Sequence, residues 1–179
     1  MARLDPLDPP YDAEVADALR RLMGRADVEP LKLFRTIAHH PALLDRFRQI
    51  GSTVLSFGLL PDAEREVLIQ RTTARCGAAY EWGVHAVAFA QPWSERTWDG
   101  APSDLGDERI ATLARLADEL HDTATVSDGL WAELRAGWSD AELVEAVCLC
   151  GFYHLVSFAC RAFAVDAEEW AATPPGPSV

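Results

Sequence analysis

The sequence predicts an all-α fold on three observations. Apolar residues recur at a spacing of three and four along most of the chain, helix-capping signals precede those runs, and nowhere does polar and apolar residue alternation flank hairpin turns. A bundle of helices is the architecture that buries such stripes. With 179 residues, about 49% of them hydrophobic, the chain is long enough for one buried core and too short to demand two. The expected organisation is a proline-containing arm over residues 1–10, one helical domain over 11–172 and a proline-rich tail over 173–179, both ends being mobile.

The first helix is expected from Tyr11 to Met23, on Val15, Ala18, Leu19 and Leu22, with Gly24 as its stop. Leu31, Leu33, Phe34 and Ile37 predict a second stretch ending before Pro41. Leu43, Leu44, Phe47, Ile50, Val54 and Leu55 carry a third from Pro41 to Ser56. Gly58 and Pro61 break the chain. Asp62 to Ala74 forms the next helix, its acids Asp62, Glu64 and Glu66 placed near the positive N-terminal end, and Cys76-Gly77 marks the turn that follows.

A helix rich in small residues is expected from Ala78 to Ala90, and Pro92, Gly100 and Pro102 punctuate a loop after it. Asp107 to His121 carries a full apolar stripe from Ile110 to Leu120. Ser127 is placed to cap a short helix ending at Gly137, and Ser139 with Glu142 forms a capping box for a long apolar helix to about Phe163. A short amphipathic tail through Trp170 closes the chain.

Charge and composition exclude several function classes. A formal net charge of −12, with 16 Lys and Arg scattered among 28 acids, repels phosphate backbones and argues against nucleic acid as a partner. The longest nearly apolar run, Ala146 to Cys160, contains His154 and Ser157 and falls short of the roughly 20 residues a membrane span requires. No apolar signal core opens the sequence, so a cytoplasmic location without a membrane is the expectation. The four cysteines, Cys76, Cys148, Cys150 and Cys160, include no Cys-x-x-Cys pair, and neither a disulfide framework nor a zinc site is signalled.

The densest cluster of reactive side chains runs from Cys76 to His85. Glu81 and His85 are four residues apart, which on a helix stacks carboxylate and imidazole on one face. A carboxylate beside an imidazole fixes its tautomer and favours the protonated ring, so proton transfer near neutral pH is the leading chemistry, and an ordinary ion pair is the plainer reading. Glu66, on the preceding helix, would face this pair across a helical hairpin, or else simply favour its own helix terminus. Cys76 at the turn has its thiolate favoured by the helix dipole, or else packs structurally. Tyr80 and Trp82 flank Glu81 as candidate substrate-binding walls, with core packing the alternative for Trp82. Tyr153 and His154 lie in the apolar helix, where a hydrogen-bonded core role is the default. Convergence of Glu66, Glu81, His85 and His154 on a metal lacks any paired Glu-x-x-His or His-x-x-x-His spacing, so no metal and no cofactor is expected.

These residues resemble the carboxymuconolactone decarboxylase family, the group that includes alkylhydroperoxidase D. The likeness is carried by Leu60-Pro61, Arg65-Glu66-Val67-Leu68-Ile69, Cys76-Gly77-Ala78-Ala79-Tyr80-Glu81-Trp82 and His85. Ala38-His39-His40-Pro41, Thr125-Val126-Ser127-Asp128 and Gly151-Phe152-Tyr153 extend it over roughly residues 30 to 170. The resemblance implies an alkylhydroperoxidase D-like helical bundle that forms homo-oligomers around a small-molecule pocket. In the peroxidase branch a Cys-x-x-Cys pair works with a glutamate and a histidine; on this chain the glutamate falls at Glu66, the histidine at His85, and the cysteines at Ala78 and Glu81. The missing dithiol disfavours that branch's cycle. The decarboxylase branch implies acid–base work by Glu66, Glu81 and His85, with Tyr80, Trp82 and Cys76 near the substrate. A thiol-dependent antioxidant using Cys76 and a non-catalytic ligand-binding oligomer are the alternatives.

Overall fold

The computed structural model describes residues 2–23 and 29–176. Among them no strand occurs, and the helices follow in the order α1 Ala13–Met23, α2 Lys32–Ile37, α3 Pro41–Ser56, α4 Asp62–Arg75, α5 Ala79–Ala88, α6 Arg96–Asp99, a 3₁₀ turn Pro102–Leu105, α7 Glu108–Thr123, α8 Asp128–Gly137 and α9 Asp140–Ala162. The expected stop at Gly24 lies outside the described residues.

The helix ends are set by the residues the sequence points to. His40 accepts from the Leu43 amide at the start of α3, the Ser127 hydroxyl caps α8, and Ser139 and Glu142 cap each other's backbone at the start of α9. Gly77 takes φ +63° after α4, and its amide bonds Ala74 O while that of Ala78 bonds Thr73 O. This Schellman pattern turns the chain straight into α5, and a β-carbon at position 77 would meet backbone strain.

Helix α4 is the hub, with α5, α6, α7 and α9 all packed on it. Every residue from Glu64 to Ala74 is buried, including Glu64, Arg65, Glu66, Gln70 and Arg71. Burying that much charge is tolerable only because most of it is paired. Glu64 accepts from Arg109 Nε (2.8 Å) and Trp138 Nε1 (2.6 Å), and Arg109 also lies over the Trp138 ring. Arg71 forks onto both oxygens of Asp118 (2.6 and 2.8 Å) and donates to the carbonyls of Thr97 and Gly100. That guanidinium ties the segment between Pro92 and Pro102, expected as a plain loop, onto α4, and the segment contains the short helix α6.

The described N-terminal residues and the segment that follows α9 both hydrogen-bond to the bundle. Arg3 N and Leu4 N donate to Phe163 O, and Arg35, itself buried, holds Leu7 O and the Asp8 carboxylate. Among the described residues no further helix follows α9. Instead Ala172 N donates to Gly83 O, and a β-carbon on Gly83 would come within 2.2 Å of Ala172 O, so glycine is what lets the tail lie on α5. Helix α9 is long and apolar enough to cross a membrane by length and composition, contrary to the shorter run expected, but half of its apolar window is buried inside the bundle, as in a core helix.

Candidate active site

Helices α4 and α5 form the hairpin that sets the polar centre, and α9 closes it. Glu66 (1% exposed) extends from α4, His85 (4% exposed) and Glu81 from α5, and Tyr153 from the middle of α9. His85 Nδ1 is 2.8 Å from Glu66 Oε2. On the other side of the ring, Nε2 is 3.0 Å from the Tyr153 hydroxyl and 3.4 Å from Glu81 Oε1. The three expected catalytic residues are thus brought together. Their ranking differs from the sequence expectation: the tighter partner of His85 is Glu66 across the hairpin, and the i, i+4 neighbour Glu81 stands at ion-pair distance.

Burial opposes a charge on His85, yet hydrogen bonding to Glu66 and then to Glu81 outweighs it and pushes the imidazole pKa up to about 9. The ring is therefore a cation at neutral pH, donating Nδ1–H to Glu66. Burial, followed by the charges of Glu81 and Glu66, drives the Tyr153 hydroxyl well above its ordinary 10, so it stays protonated. Arg65 Nε lies 3.6 Å from Glu66 Oε1 and tempers the charge of the pair of acids. Glu81 Oε2 is buried without a hydrogen-bond partner among the described residues.

Beside this centre lies a cavity of about 310 Å³, lined by the polar groups of Glu81, His85 and Tyr153 and by apolar residues that include Leu33, Phe47, Phe89 and Phe152. Arg48 is the one arginine or lysine among the described lining residues. The volume is that of a small-molecule site, apolar with a few convergent polar groups.

The expected substrate-binding residues lie elsewhere. Tyr80 turns its hydroxyl to Glu168 Oε1 (2.6 Å) and the Leu33 amide, because a buried phenol needs partners and the C-terminal segment supplies one. Trp82 gives its indole N–H to Thr97 Oγ1 (2.9 Å) and packs edge-on against Trp98, turned away from the cavity that His85 lines. Cys76 caps the C-terminus of α4, and its Sγ lies 3.7 Å from His121 Nδ1, with His154 beside it. None of the three lines the cavity. His154 likewise belongs with Cys76 and not with Glu66, Glu81 and His85. From the sequence Tyr153 was expected only as a hydrogen-bonded core residue and Arg48 was not singled out; the signal for Tyr153 was a hydroxyl in the most apolar helix, where an unpaired polar group is costly.

Solved structures share this architecture from end to end. An uncharacterized peroxidase-related protein from Silicibacter sp. TM1040 superposes with a TM-score of 0.79 at 17% identity, covering 94% of this chain and 92% of the other. An uncharacterized peroxidase-related protein with an alkylhydroperoxidase AhpD core, from Ralstonia eutropha JMP134, gives 0.72 at 15% identity, covering 93% of each chain. This chain has the alkylhydroperoxidase D-like fold. The debrominase Bmp8 shares it too, with a TM-score of 0.71 at 11% identity over 93% of this chain and 92% of Bmp8. No protein-family model and no curated protein sequence matches the chain, so the likeness is carried by the helix arrangement. Within the alkylhydroperoxidase D-like fold, the α4–α5 hairpin is the element that delivers Glu66, Glu81 and His85.

Proposed function

We propose that the protein is an acid–base catalyst of the carboxymuconolactone decarboxylase-like kind, acting on a small organic acid or lactone. The observation that carries this reading is the buried His85 ring, clamped by Glu66 on Nδ1 and presented through Nε2 to Tyr153, Glu81 and an apolar cavity. Glu66 orients the ring and holds its proton. Nε2–H donates toward Tyr153 Oη, which leaves the phenolic proton free to turn to a ligand oxygen.

In the reaction, the bond between a ligand carboxylate and its neighbouring carbon breaks. Carbon dioxide leaves, and the electron pair passes onto an adjacent carbonyl as an enolate. The Tyr153 hydroxyl donates to the enolate oxygen. His85 Nε2–H returns a proton to carbon, directly or through Glu81, and one proton is taken from solvent in each turnover. The apolar walls disfavour the carboxylate charge that the reaction removes. Arg48 on the cavity wall suits a second anionic group that orients the ligand.

The thiol reading has less to work with at this cavity. No cysteine lines it among the described residues, and burial pushes the Cys150 thiol up to about 12, far from a thiolate. A homo-oligomer is part of the proposal: Val144, Val147, Leu155 and Phe158 expose an apolar stripe on α9, and Gly151 at its centre has open space around it.

The test is a panel of small lactones and carboxylic acids offered to the purified protein, followed by carbon dioxide release. Turnover of any member without added thiol or peroxide supports the reading. Saturable binding across the panel with no turnover would make the protein a binding module, and turnover only with peroxide and thiol would favour Cys76 chemistry.

A further inference from the structure

A second cluster of ligating atoms lies apart from the cavity. Cys76 Sγ, His121 Nδ1 and His154 Nε2 all fall within 4.8 Å of one another. They come from three mutually packed helices: the C-cap of α4, the last turn of α7 and the middle of α9. His121 Nδ1 is 3.1 Å from His154 Nε2 and 3.7 Å from Cys76 Sγ. Around a tetrahedral zinc ion, with Zn–N about 2.0–2.1 Å and Zn–S about 2.3 Å, nitrogens stand about 3.3 Å apart and nitrogen and sulfur about 3.6 Å apart. The observed spacing is close to both.

The surroundings fix these atoms in a ligating sense. His154 Nδ1 is 2.8 Å from the Cys150 carbonyl, which only a ring N–H satisfies, so in the neutral ring Nε2 carries the lone pair that faces Cys76 and His121. A backbone carbonyl on the remote nitrogen is the usual way a metal-binding histidine is oriented. The Cys76 backbone is pinned through Arg161 Nη1 donating to its carbonyl (2.6 Å) and its own amide donating to Thr72 O. The thiol is buried while both imidazoles are part-exposed, which gives an ion a route in and leaves room for a solvent ligand. Hydrogen bonds from His121 to His154 and between the thiol and the rings hold the same three atoms in the absence of an ion.

We propose that Cys76, His121 and His154 bind one divalent ion of the zinc class, with solvent completing a four-coordinate site. One thiolate and two imidazoles favour zinc, cobalt, nickel or copper over magnesium or calcium. On binding, the Cys76 S–H proton goes to solvent as the sulfur–metal bond forms, and no electron moves. The site shares no residue with Glu66, Glu81, His85 and Tyr153, so it stands whatever reaction the cavity supports.

The test is titration of the full-length protein with Co²⁺, then displacement by Zn²⁺, read by absorption. The expected result is one equivalent bound, with a thiolate-to-cobalt charge-transfer band in the near ultraviolet and strong visible bands of tetrahedral cobalt, all removed by zinc. Cys76→Ser should abolish the charge-transfer band, and His121→Ala or His154→Ala should weaken binding at least tenfold. Glu66→Gln should leave the spectrum unchanged. Helical circular dichroism checks each variant; should Cys76→Ser unfold, the two histidine variants decide. Weak octahedral cobalt bands in the wild type would overturn the proposal. So would histidine variants that bind as the wild type does, or a charge-transfer band that vanishes with Cys148→Ser, at the exposed thiol, and survives Cys76→Ser.

Discussion

Two histidine clusters are built on the same pair of helices, and they differ in what surrounds the imidazole. Helix α4 supplies Glu66 to one and, ten residues on, Cys76 to the other; α9 supplies Tyr153 and the adjacent His154. Around His85 two carboxylates outweigh burial and hold the ring as a cation. Around His121 burial comes first and the neighbouring His154 and Arg75 add to it, so its pKa is lowered and the ring stays neutral. The fold supplies the positions, and the partner's charge decides the chemistry.

The largest effect expected from this contrast is a swap of variants. His85→Gln should lower turnover of whichever substrate the panel reveals by about 10²–10⁴, the span of general acid–base catalysis, while Cys76→Ser leaves it within about threefold. The reverse ranking would move the chemistry to the other cluster. Next is Tyr153→Phe, which removes the hydroxyl between His85 and the cavity; kcat should fall about 10²-fold with KM little changed, as for loss of one donor to a developing oxyanion.

A smaller effect is expected in stability against pH. The folded His85 binds its proton up to about pH 9, whereas in the unfolded chain it releases it near the ordinary 6.5. Its contribution is therefore fully present below pH 6.5 and lost as pH rises through 9. Urea midpoints should fall across that window in the wild type, and the fall should be shallower in Glu66→Gln. Smallest in energy is Phe158→Glu on the exposed stripe of α9, which should leave the helical signal intact and shift light-scattering mass toward the monomer.

Much of the helix order was legible because caps and breakers are local. Ser127, Ser139 with Glu142 and the Cys76-Gly77 turn act within four residues of themselves. The region from Pro92 to Pro102 was not, since α6 is too short to show a period and is held by Arg71 from a helix remote in sequence. The same limit governs α4 and α9. By pattern α9 is the more apolar and α4 the more polar; in the fold α4 is buried along almost all its length, while α9 leaves Val144, Leu155 and Phe158 exposed. Charges on α4 go inside because Arg109, Trp138, Asp118 and His85 meet them there, and those partners are remote in sequence.

The candidate site was legible to the same depth. Spacing alone brought Glu81 and His85 together, and the resemblance added Glu66. The hairpin then made Glu66 the tighter partner, and only the packing of α9 brought in Tyr153. Tyr80 and Trp82 were expected at the substrate because they adjoin Glu81 in sequence, and Cys76 because it lies at the turn before them. On a helix such neighbours point to different sides, so Trp82 faces Thr97 and Tyr80 faces Glu168, while Cys76 caps α4 and faces His121.

The claim that His85 is kept protonated by Glu66 beside an apolar cavity can be measured without knowing the substrate. An NMR titration of the His85 ring nitrogens in the wild type and in Glu66→Gln reads it directly. The expected result is an imidazolium at pH 7.5 that titrates near 9, with its midpoint moved well down by Glu66→Gln. A neutral His85 ring at pH 7.5, or a midpoint that Glu66→Gln leaves unmoved, would contradict the account.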